Sequence, residues 1–172
     1  MIKKEIFFKK NILKYFLFFS SILCTIFLFQ NCGDSNKRIF EQNASVPNRS
    51  WTYDNMLSFE AEIVDTSLQY NIYLNLRHGN NYLFRNLWVI VHTTFPSGKR
   101  IQKRVDLPLA DKSGKWYGKG VGDIRRTTIK IQPNAIMPEK GLYKFEIEQN
   151  MRKNPLKDIL DIGLGIEVAH QY

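Results

Sequence analysis

Hydrophobic and polar residues alternate with a period of two through most of the chain after residue 50. The clearest run is 69–77, where Tyr70, Ile72, Leu74 and Leu76 alternate with asparagine and tyrosine. Successive side chains of a β-strand point to opposite faces of a sheet, so this alternation predicts strands with one buried face. Six further segments follow the pattern, with 87–91 apolar on both faces: 58–64, 87–91, 101–107, 124–131, 142–148 and 161–168.

Turn signals separate these predicted strands. Residues 95–98, with the sequence Phe-Pro-Ser-Gly, are typical of a tight hairpin, and residues 138–141 place Pro and Gly in a second loop. After residue 50 no segment carries a long apolar stripe at the 3.6-residue period of an amphipathic helix. We therefore predict an all-β domain, an antiparallel β-sandwich of about seven to eight strands, with a β-barrel as the alternative.

The first 31 residues have a different pattern. Five lysines lie within residues 3–14, and residues 15–29 are uncharged and mostly Phe, Leu and Ile. As a helix, residues 15–29 would be about 22 Å long. A helix that spans a membrane needs roughly 20 apolar residues, so this run is too short for a comfortable span. A positive start, a short apolar run and a polar break predict a secretory signal peptide. An uncleaved N-terminal membrane anchor is the alternative.

Cys32 directly follows this segment, where lipoprotein processing places the acylated first residue of the mature chain. The preceding positions depart from the usual lipobox, because Phe29 replaces leucine and Asn31 replaces a small residue. Cys24 is a poorer candidate, since more apolar chain follows it. We predict three parts of the chain: a signal peptide over 1–31, a lipidated N-terminus and tether over 32–50, and the β-sandwich domain over 51–172.

Net charge and cysteine positions limit the partners and the reactive sites that we expect in the mature domain. The whole chain has a net charge of +9, but residues 1–31 carry five lysines and one glutamate, so their removal leaves +5. The remaining basic residues are scattered and indicate a solvated surface, so we expect no nucleic-acid partner. Both cysteines lie at or before position 32, which predicts a mature domain without a disulfide, a thiolate metal site or a cysteine nucleophile.

Metal-binding and phosphate-binding motifs are sparse. His78, His92 and His170 are far apart in the sequence and lack the spacing of metal ligands, so we expect them to be exposed and structural. Residues 118–122, with the sequence Gly-Lys-Gly-Val-Gly, lack the spacing of a phosphate loop. These glycines indicate a bulge or a close approach of two backbones.

Three carboxylates near this segment are the remaining catalytic candidates. Asp106, Asp111 and Asp123 flank the glycines, and paired carboxylates are the groups that glycosidases use. However, residues 111–114 are typical of a turn capped by an aspartate side chain. We predict no enzyme activity, no catalytic residue, no metal, no cofactor and no small-molecule substrate.

Aromatic residues provide a second kind of candidate. Trp51, Trp88 and Trp116 could form a platform for stacking sugars, and the strand pattern turns Trp88 and Tyr73 outward. Alternatively, these rings pack beneath loops or between sheets. We single out Trp88 and Trp116 as either structural residues or anchors of a protein interface, and we expect Trp116 to be a core plug.

Short motifs follow one another in a characteristic order from residue 40 to residue 167. They are Val46-Pro47 before Trp51, Phe59, Asp65 before 70–72, Tyr82 before 86–88, and the segments 95–98, 109–118, 120–124, 141–143, 149–152, 159–163 and 166–167. By their order and spacing, more than by any single motif, the chain resembles the gliding motility lipoprotein GldH family of Bacteroidetes-type bacteria.

The resemblance implies a lipid-anchored envelope protein that is needed for gliding and is linked to the type 9 secretion and motility machinery. It implies no enzymatic activity, and only the lipidated position carries over, onto Cys32, where acyl chains such as palmitate would enter the membrane. We expect an accessory, non-catalytic scaffold whose partners are the membrane and other envelope proteins, on the outer membrane in preference to the inner. A surface carbohydrate-binding lipoprotein is the alternative, and a lipid-anchored glycosidase comes third.

Overall fold

The computed structural model describes residues 38–169, so Cys32 and His170 lie outside the described part of the chain. That part contains ten β-strands and one 3₁₀ turn, Pro47–Arg49, and none of its helical segments is long and apolar enough to cross a membrane. The strands are β1 (Arg38–Ser45), β2 (Ser50–Trp51), β3 (Leu57–Ile63), β4 (Gln69–Gly79), β5 (Asn86–Thr94), β6 (Arg100–Pro108), β7 (Ile124–Ile136), β8 (Gly141–Gln149), β9 (Leu156–Lys157) and β10 (Ile159–Val168).

Eight of these strands form two antiparallel four-stranded sheets, and the short strands β2 and β9 pair separately. The sheet with the order β1-β10-β4-β7 is called the β10 sheet, and the sheet with the order β3-β8-β5-β6 is called the β8 sheet. Each of the seven predicted strands is present, as β3 to β8 and β10. The predicted antiparallel β-sandwich of seven to eight strands is therefore confirmed.

The core lies between the two sheets because each strand turns its apolar phase inward. In β3 the buried residues Leu57, Phe59, Ala61 and Ile63 alternate with exposed polar ones. Burying a side chain of this kind contributes about 1.5–3 kcal/mol, so the shared core is the main source of stability. The β10 sheet supplies nine buried side chains of the same cluster: Tyr70, Ile72, Leu74, Leu76, Ala135, Ile159, Ile162, Leu164 and Ile166.

The predicted domain boundary at residue 51 differs from the structure. Residues 38–45, which we assigned to the tether, form β1 and pair with β10 from Arg38 opposite Glu167 to Ser45 opposite Asp161. Only Phe40 and Ala44 of this strand pack on the core. A polar edge strand with so few apolar positions does not show the alternation that marks the other strands. Residues 38–45 therefore belong to the folded domain and not to the tether.

The strand directions define two ends of the sandwich. The short-loop end, where β1 begins, is formed by the connections 64–68, 95–99 and 137–140. The opposite long-loop end is formed by 46–56, 80–85, 109–123 and 150–155. β4 has 11 residues and separates the two ends by roughly 35 Å. The three tryptophans lie at or next to the long-loop end.

Candidate functional site

A polar groove lies on the outer face of the β10 sheet. Its floor is formed by β10, in which Gly163 and Gly165 occupy positions that carry side chains in the neighbouring strands. A Cβ atom at Gly163 would lie 2.0 Å from Asn43 Oδ1, so only glycine fits between the neighbouring side chains. The cavity has a volume of about 160 Å³ and is lined by Arg38, Glu41, Asn43, Asn75, Arg77, Arg126, Thr128 and Asp161.

Hydrogen bonds across the strands fix the groups of this groove. Arg38 Nε donates to Glu167 Oε1 at 3.0 Å, and Asn75 Nδ2 donates to Glu41 Oε1 at 3.2 Å. Thr128 Oγ1 in turn donates to Asn75 Oδ1 at 2.7 Å. The hydrogen bond that Arg38 donates to Glu167, followed by the one that it donates to Glu41, raises the pKa of Arg38. The groove therefore presents preordered donors and acceptors of nearly balanced charge.

The ion pair between Arg77 and Asp161 closes one side of the groove. Arg77 Nε donates to Asp161 Oδ2 at 2.5 Å, and this hydrogen bond raises the pKa of Arg77. The Asp161 side chain is buried, whereas that of Arg77 is 41% exposed. The pair thus holds a buried carboxylate with a cation that still reaches water.

We expect Arg77→Met to lower the free energy of unfolding by about 1–3 kcal/mol, because it leaves the buried Asp161 carboxylate without its cation. Arg126→Met is the matched control, since Arg126 lies opposite Arg77 in β7, lines the same groove and is exposed. Its change should stay within about 0.5 kcal/mol. Urea unfolding measures both values, and equal losses in the two variants would contradict a specific role for the pair.

A second cavity, the Trp88 pocket, lies on the outer face of the β8 sheet beside connection 150–155. The Arg104 guanidinium stacks over the Trp88 ring at 4.1 Å, and the Trp88 amide donates to Met151 Sδ at 3.2 Å. The pocket has a volume of about 420 Å³ and is lined by Phe84, Trp88, Arg104, Asn150, Met151, Arg152 and Lys153. Three cations and no carboxylate line it, so it favours an anionic group attached to an apolar body.

The predicted outward phases of Trp88 and Tyr73 are observed, but the two rings do not share a platform. Trp88 lies on the β8 sheet under Arg104, whereas Tyr73 lies on the β10 sheet with Lys130 Nζ 5.4 Å from its ring centre. Trp51 is fully buried and donates its indole N–H to Asn55 O at 2.7 Å. The three tryptophans therefore do not form the sugar-stacking surface considered from the sequence.

Trp116 packs from connection 109–123 onto the core. Its ring is half-buried and meets the His78 ring edge-on at a centroid distance of 4.5 Å. An isolated bridge to Ala110 fixes the backbone at this point. The glycines that follow permit the close backbone approach predicted for them, because a Cβ atom at Gly120 would lie 1.8 Å from Ile124 O. This position agrees with a plug at the long-loop end of the core.

We expect Trp116→Ala to destabilise the domain by about 3 kcal/mol, the lower end of the range for large aromatic truncations, because the ring is only half-buried. Tyr117→Ala is the control, since Tyr117 is 59% exposed and its removal should cost less than about 1 kcal/mol. Thermal unfolding and envelope abundance are the measurements. Unchanged stability with weakened partner binding would instead identify Trp116 as an interface anchor.

The histidines were expected to be exposed, and in the described residues they are not. His78 is completely buried, and this burial lowers its pKa. Its Nδ1 lies 2.9 Å from Gly79 O, so Nδ1 carries the proton, and Nε2 has no hydrogen-bond partner. His92 is also buried, with Nε2 3.2 Å from Glu148 Oε2. Both histidines are covered by residues that are distant in the sequence. Alternation along the chain does not show this covering, so the histidines were wrongly expected to be exposed.

The three candidate aspartates do not converge on one site. Asp106 accepts a hydrogen bond from Asn86 Nδ2 at 2.7 Å, while Asp123 faces Arg49. Asp111 caps its own turn, as predicted, and the hydroxyl of Ser113 lowers its pKa. Among residues 38–169, no group of three or more histidine, cysteine or acidic side chains is arranged to hold a metal ion.

The groove residues could not be recognised from aromatic or histidine motifs, because none of them is an aromatic residue or a histidine. Asp161, Gly163, Gly165 and Glu167 occupy the outward phase of β10, a strand whose other phase is wholly apolar. Polar and glycine residues at alternate positions of a buried central strand were a readable signal for a built polar face. Neither Cys32 nor any acyl group on it is described by the structure.

A family model and two curated relatives of the chain carry the same family description. A family model described as GldH lipoprotein matches residues 38–166. The chain is 33% identical over 150 residues to a gliding motility lipoprotein GldH homolog of Christiangramia forsetii, covering 83% of this chain and 90% of the relative. It is 32% identical over 153 residues to the gliding motility lipoprotein GldH of Flavobacterium johnsoniae, covering 85% of this chain and 92% of the relative.

The similarity of the chain to solved structures is distant. A carbohydrate-binding module specific for non-crystalline cellulose, CBM28, has a TM-score of 0.41 and 9% identity, covering 77% of this chain and 73% of that one. A Yersinia pseudotuberculosis-derived mitogen has a TM-score of 0.33 and 8% identity, covering 77% of this chain and 88% of that one. Both likenesses are too distant to carry a functional conclusion.

Proposed function

The chain belongs to the GldH lipoprotein family, and we propose that it acts as a non-catalytic binding scaffold in the gliding motility and type 9 secretion machinery. The family supports a role in gliding motility and a membrane-anchored location in the envelope. The family membership is the observation that carries the proposal. The scaffold role is supported by a described part of the chain in which polar groups are paired with one another rather than assembled around one reacting centre.

The proposed anchor is Cys32, whose thiolate takes a diacylglyceryl group before residues 1–31 are removed, with palmitate among its acyl chains. Two or more chains are needed for stable attachment, since a single chain binds only marginally at about 0.8 kcal/mol per buried CH₂. Attachment to the outer membrane is proposed in preference to the inner. The sandwich begins at Arg38, only a few residues after this cysteine.

The proposed partner surface is the Trp88 pocket. Tryptophan and arginine are the side chains that most often dominate the energy of protein interfaces, and here Arg104 and Trp88 stack on each other at a concave site. Arg152 and Lys153 are exposed at its rim and add positive charge. An envelope protein with an acidic, partly apolar segment would fit this surface.

We expect the charge reversals Arg152→Glu and Lys153→Glu, combined, to abolish crosslinking to the motility apparatus and gliding while leaving the melting temperature unchanged. The experiment replaces the family member of a gliding bacterium with this chain and follows cell spreading and in-cell crosslinks. Lys112→Glu with Lys115→Glu is the matched control, because both lysines are exposed at the long-loop end but do not line the pocket. Normal spreading and crosslinks with the reversed pocket would reject this partner surface.

Carbohydrate binding is the second candidate function, and the polar groove of the β10 sheet is the observation that favours it. Fixed amide, guanidinium and carboxylate groups of balanced charge suit the hydroxyl groups of a sugar. Isothermal calorimetry against common polysaccharides tests this function. Binding that disappears in Asn75→Ala would support the carbohydrate function over the scaffold, whereas no binding would count against it.

A further inference from the structure

Hydrogen bonds and side-chain packing stabilise the connections of the short-loop end. Ser97 in the 95–99 hairpin donates through its amide and its hydroxyl to the Glu139 carboxylate, at 2.8 and 2.9 Å. Pro96 packs against Gly141, where a Cβ atom would lie 3.3 Å from the proline ring. Tyr70 donates its hydroxyl to Asp65 O at 2.5 Å within the 64–68 connection. The 95–99 hairpin and the 137–140 connection are therefore held together by hydrogen bonds.

Chain length restricts how far this end can lie from the proposed anchor. Five residues, 33–37, separate Cys32 from Arg38, where β1 begins at the short-loop end. Six steps along a fully extended chain cover at most roughly 20 Å. The long-loop end is a further 35 Å or so away along β4. With Cys32 acylated as proposed above, the short-loop end is the one that can reach the lipid surface.

Exposed apolar side chains occur at this end although its loops are short. Val64 is 70% exposed, Ile136 69% and Leu142 53%, and each lies within two residues of a strand terminus at the short-loop end. Ile39 and Ile101 are exposed at the same end. Large aliphatic side chains at a protein surface indicate contact with a partner or a membrane when they are grouped.

The charges of the short-loop end indicate which membrane property matters. Lys99 and Lys140 are exposed there, but Asp65 and Glu139 lie in the same connections. The three connections therefore carry two positive and two negative charges, so attraction of these loops to anionic lipid supplies little binding. Insertion of aliphatic side chains at the level of the lipid headgroups is the contribution that remains.

We propose that the short-loop end rests on the lipid surface, with Val64, Ile136 and Leu142 inserted at the headgroup level, and that the long-loop end faces away from the membrane. This inference rests on the proposed acylation of Cys32. The domain would then have a fixed orientation relative to the membrane, with its strands pointing away from the lipid surface, and would not rotate freely on a flexible tether. The Trp88 pocket is then presented at the far end of β5, roughly 20 Å along that strand from its short-loop terminus at Thr94.

The three native tryptophans make the proposal testable by fluorescence. The full-length chain, matured and acylated in cells, is reconstituted into phosphatidylcholine vesicles whose acyl chains are brominated, and emission is compared with that in unbrominated vesicles. Because Trp51, Trp88 and Trp116 lie at or next to the long-loop end, we expect their emission to be unquenched. Val64→Trp and Leu142→Trp should each add emission that is blue-shifted and mostly quenched by the bromines.

Two substitutions at the opposite end are the matched controls. Leu83 and Val121 are 82% and 93% exposed in connections of the long-loop end, and Leu83→Trp and Val121→Trp should add emission that bromines do not quench. Quenching of these controls, or no quenching of Leu142→Trp, would overturn the proposal. Protection of Leu142→Trp from aqueous acrylamide without quenching by bromines would also overturn it, because a protein or a second copy would then cover this end.

Incorporation of labelled fatty acid, measured on the same samples, separates this proposal from the proposed function. A labelled protein in which Leu142→Trp is unquenched overturns the membrane contact alone. An unlabelled protein overturns the anchor and the membrane contact together, because the contact is argued from the short link to Cys32.

Discussion

Cys32→Ala is expected to abolish fatty-acid labelling and to leave an unprocessed precursor that carries residues 1–31. The physical reason is that diacylglyceryl transfer requires the thiolate of this residue and that cleavage follows it. Without the diacylglyceryl group, the protein lacks the two or more acyl chains that stable lipid attachment at residue 32 requires. Membrane fractionation, mass of the N-terminus and labelled palmitate are the measurements.

Cys24→Ala is the matched control for this experiment. It changes the other cysteine of the chain, within the apolar run, and should leave labelling and maturation normal. Loss of gliding in Cys32→Ala with a normal amount of folded precursor would show that acylation of Cys32 is required. Normal labelling and maturation of Cys32→Ala would reject the anchor proposed at this position.

Most strands of the sandwich could be predicted because apolar residues on the core-facing side alternate with other residues on the opposite side. Leu57, Phe59, Ala61 and Ile63 of β3 are buried, and the glutamates between them are exposed, as the period of two requires. β10 was found for the same reason, through the apolar residues at positions 162, 164 and 166. The alternation of apolar residues along the chain indicates which side of each strand is buried, so these strands can be predicted without knowing the tertiary structure.

β1 could not be predicted in this way because it is an edge strand with little apolar contact. Its place in the sheet depends on backbone pairing with β10 and on the Arg38–Glu167 ion pair, whose partners are 129 residues apart. The polar groove has the same origin. Glu41 and Asn75 meet only because β1 and β4 lie on either side of β10. A pattern along the chain does not contain the order of strands in a sheet.

The role of Trp88 shows the same limit at a single residue. Its outward phase was predicted correctly, but Arg104 and Met151, which decide what the ring can contact, come from β6 and from connection 150–155. The sequence suggested a sugar platform or an interface anchor for this ring. The structure adds the three cations around it, and these change the expected ligand from a neutral sugar to an anionic segment.

Removing β1 is expected to unfold the domain, and this result would decide between the tether predicted from the sequence and the strand seen in the structure. A soluble chain that begins at Val46 lacks the whole of β1, while chains that begin at Gly33 or Lys37 retain it and serve as controls. We expect the two controls to give the same cooperative unfolding and the same β-rich circular dichroism. The chain from Val46 should be recovered mainly as aggregate.

The expected loss is large because β1 protects a strand from the middle of the sheet. Without it, β10 becomes an exposed edge, and its unpaired backbone groups can pair with another chain. The buried Glu167 carboxylate also loses Arg38, and the packing of Phe40 and Ala44 on the core disappears. Together these losses amount to several kcal/mol, a large part of the 5–15 kcal/mol that stabilises a typical domain. A chain from Val46 that stays monomeric and melts within a few degrees of the controls would instead show that residues 38–45 act as a tether.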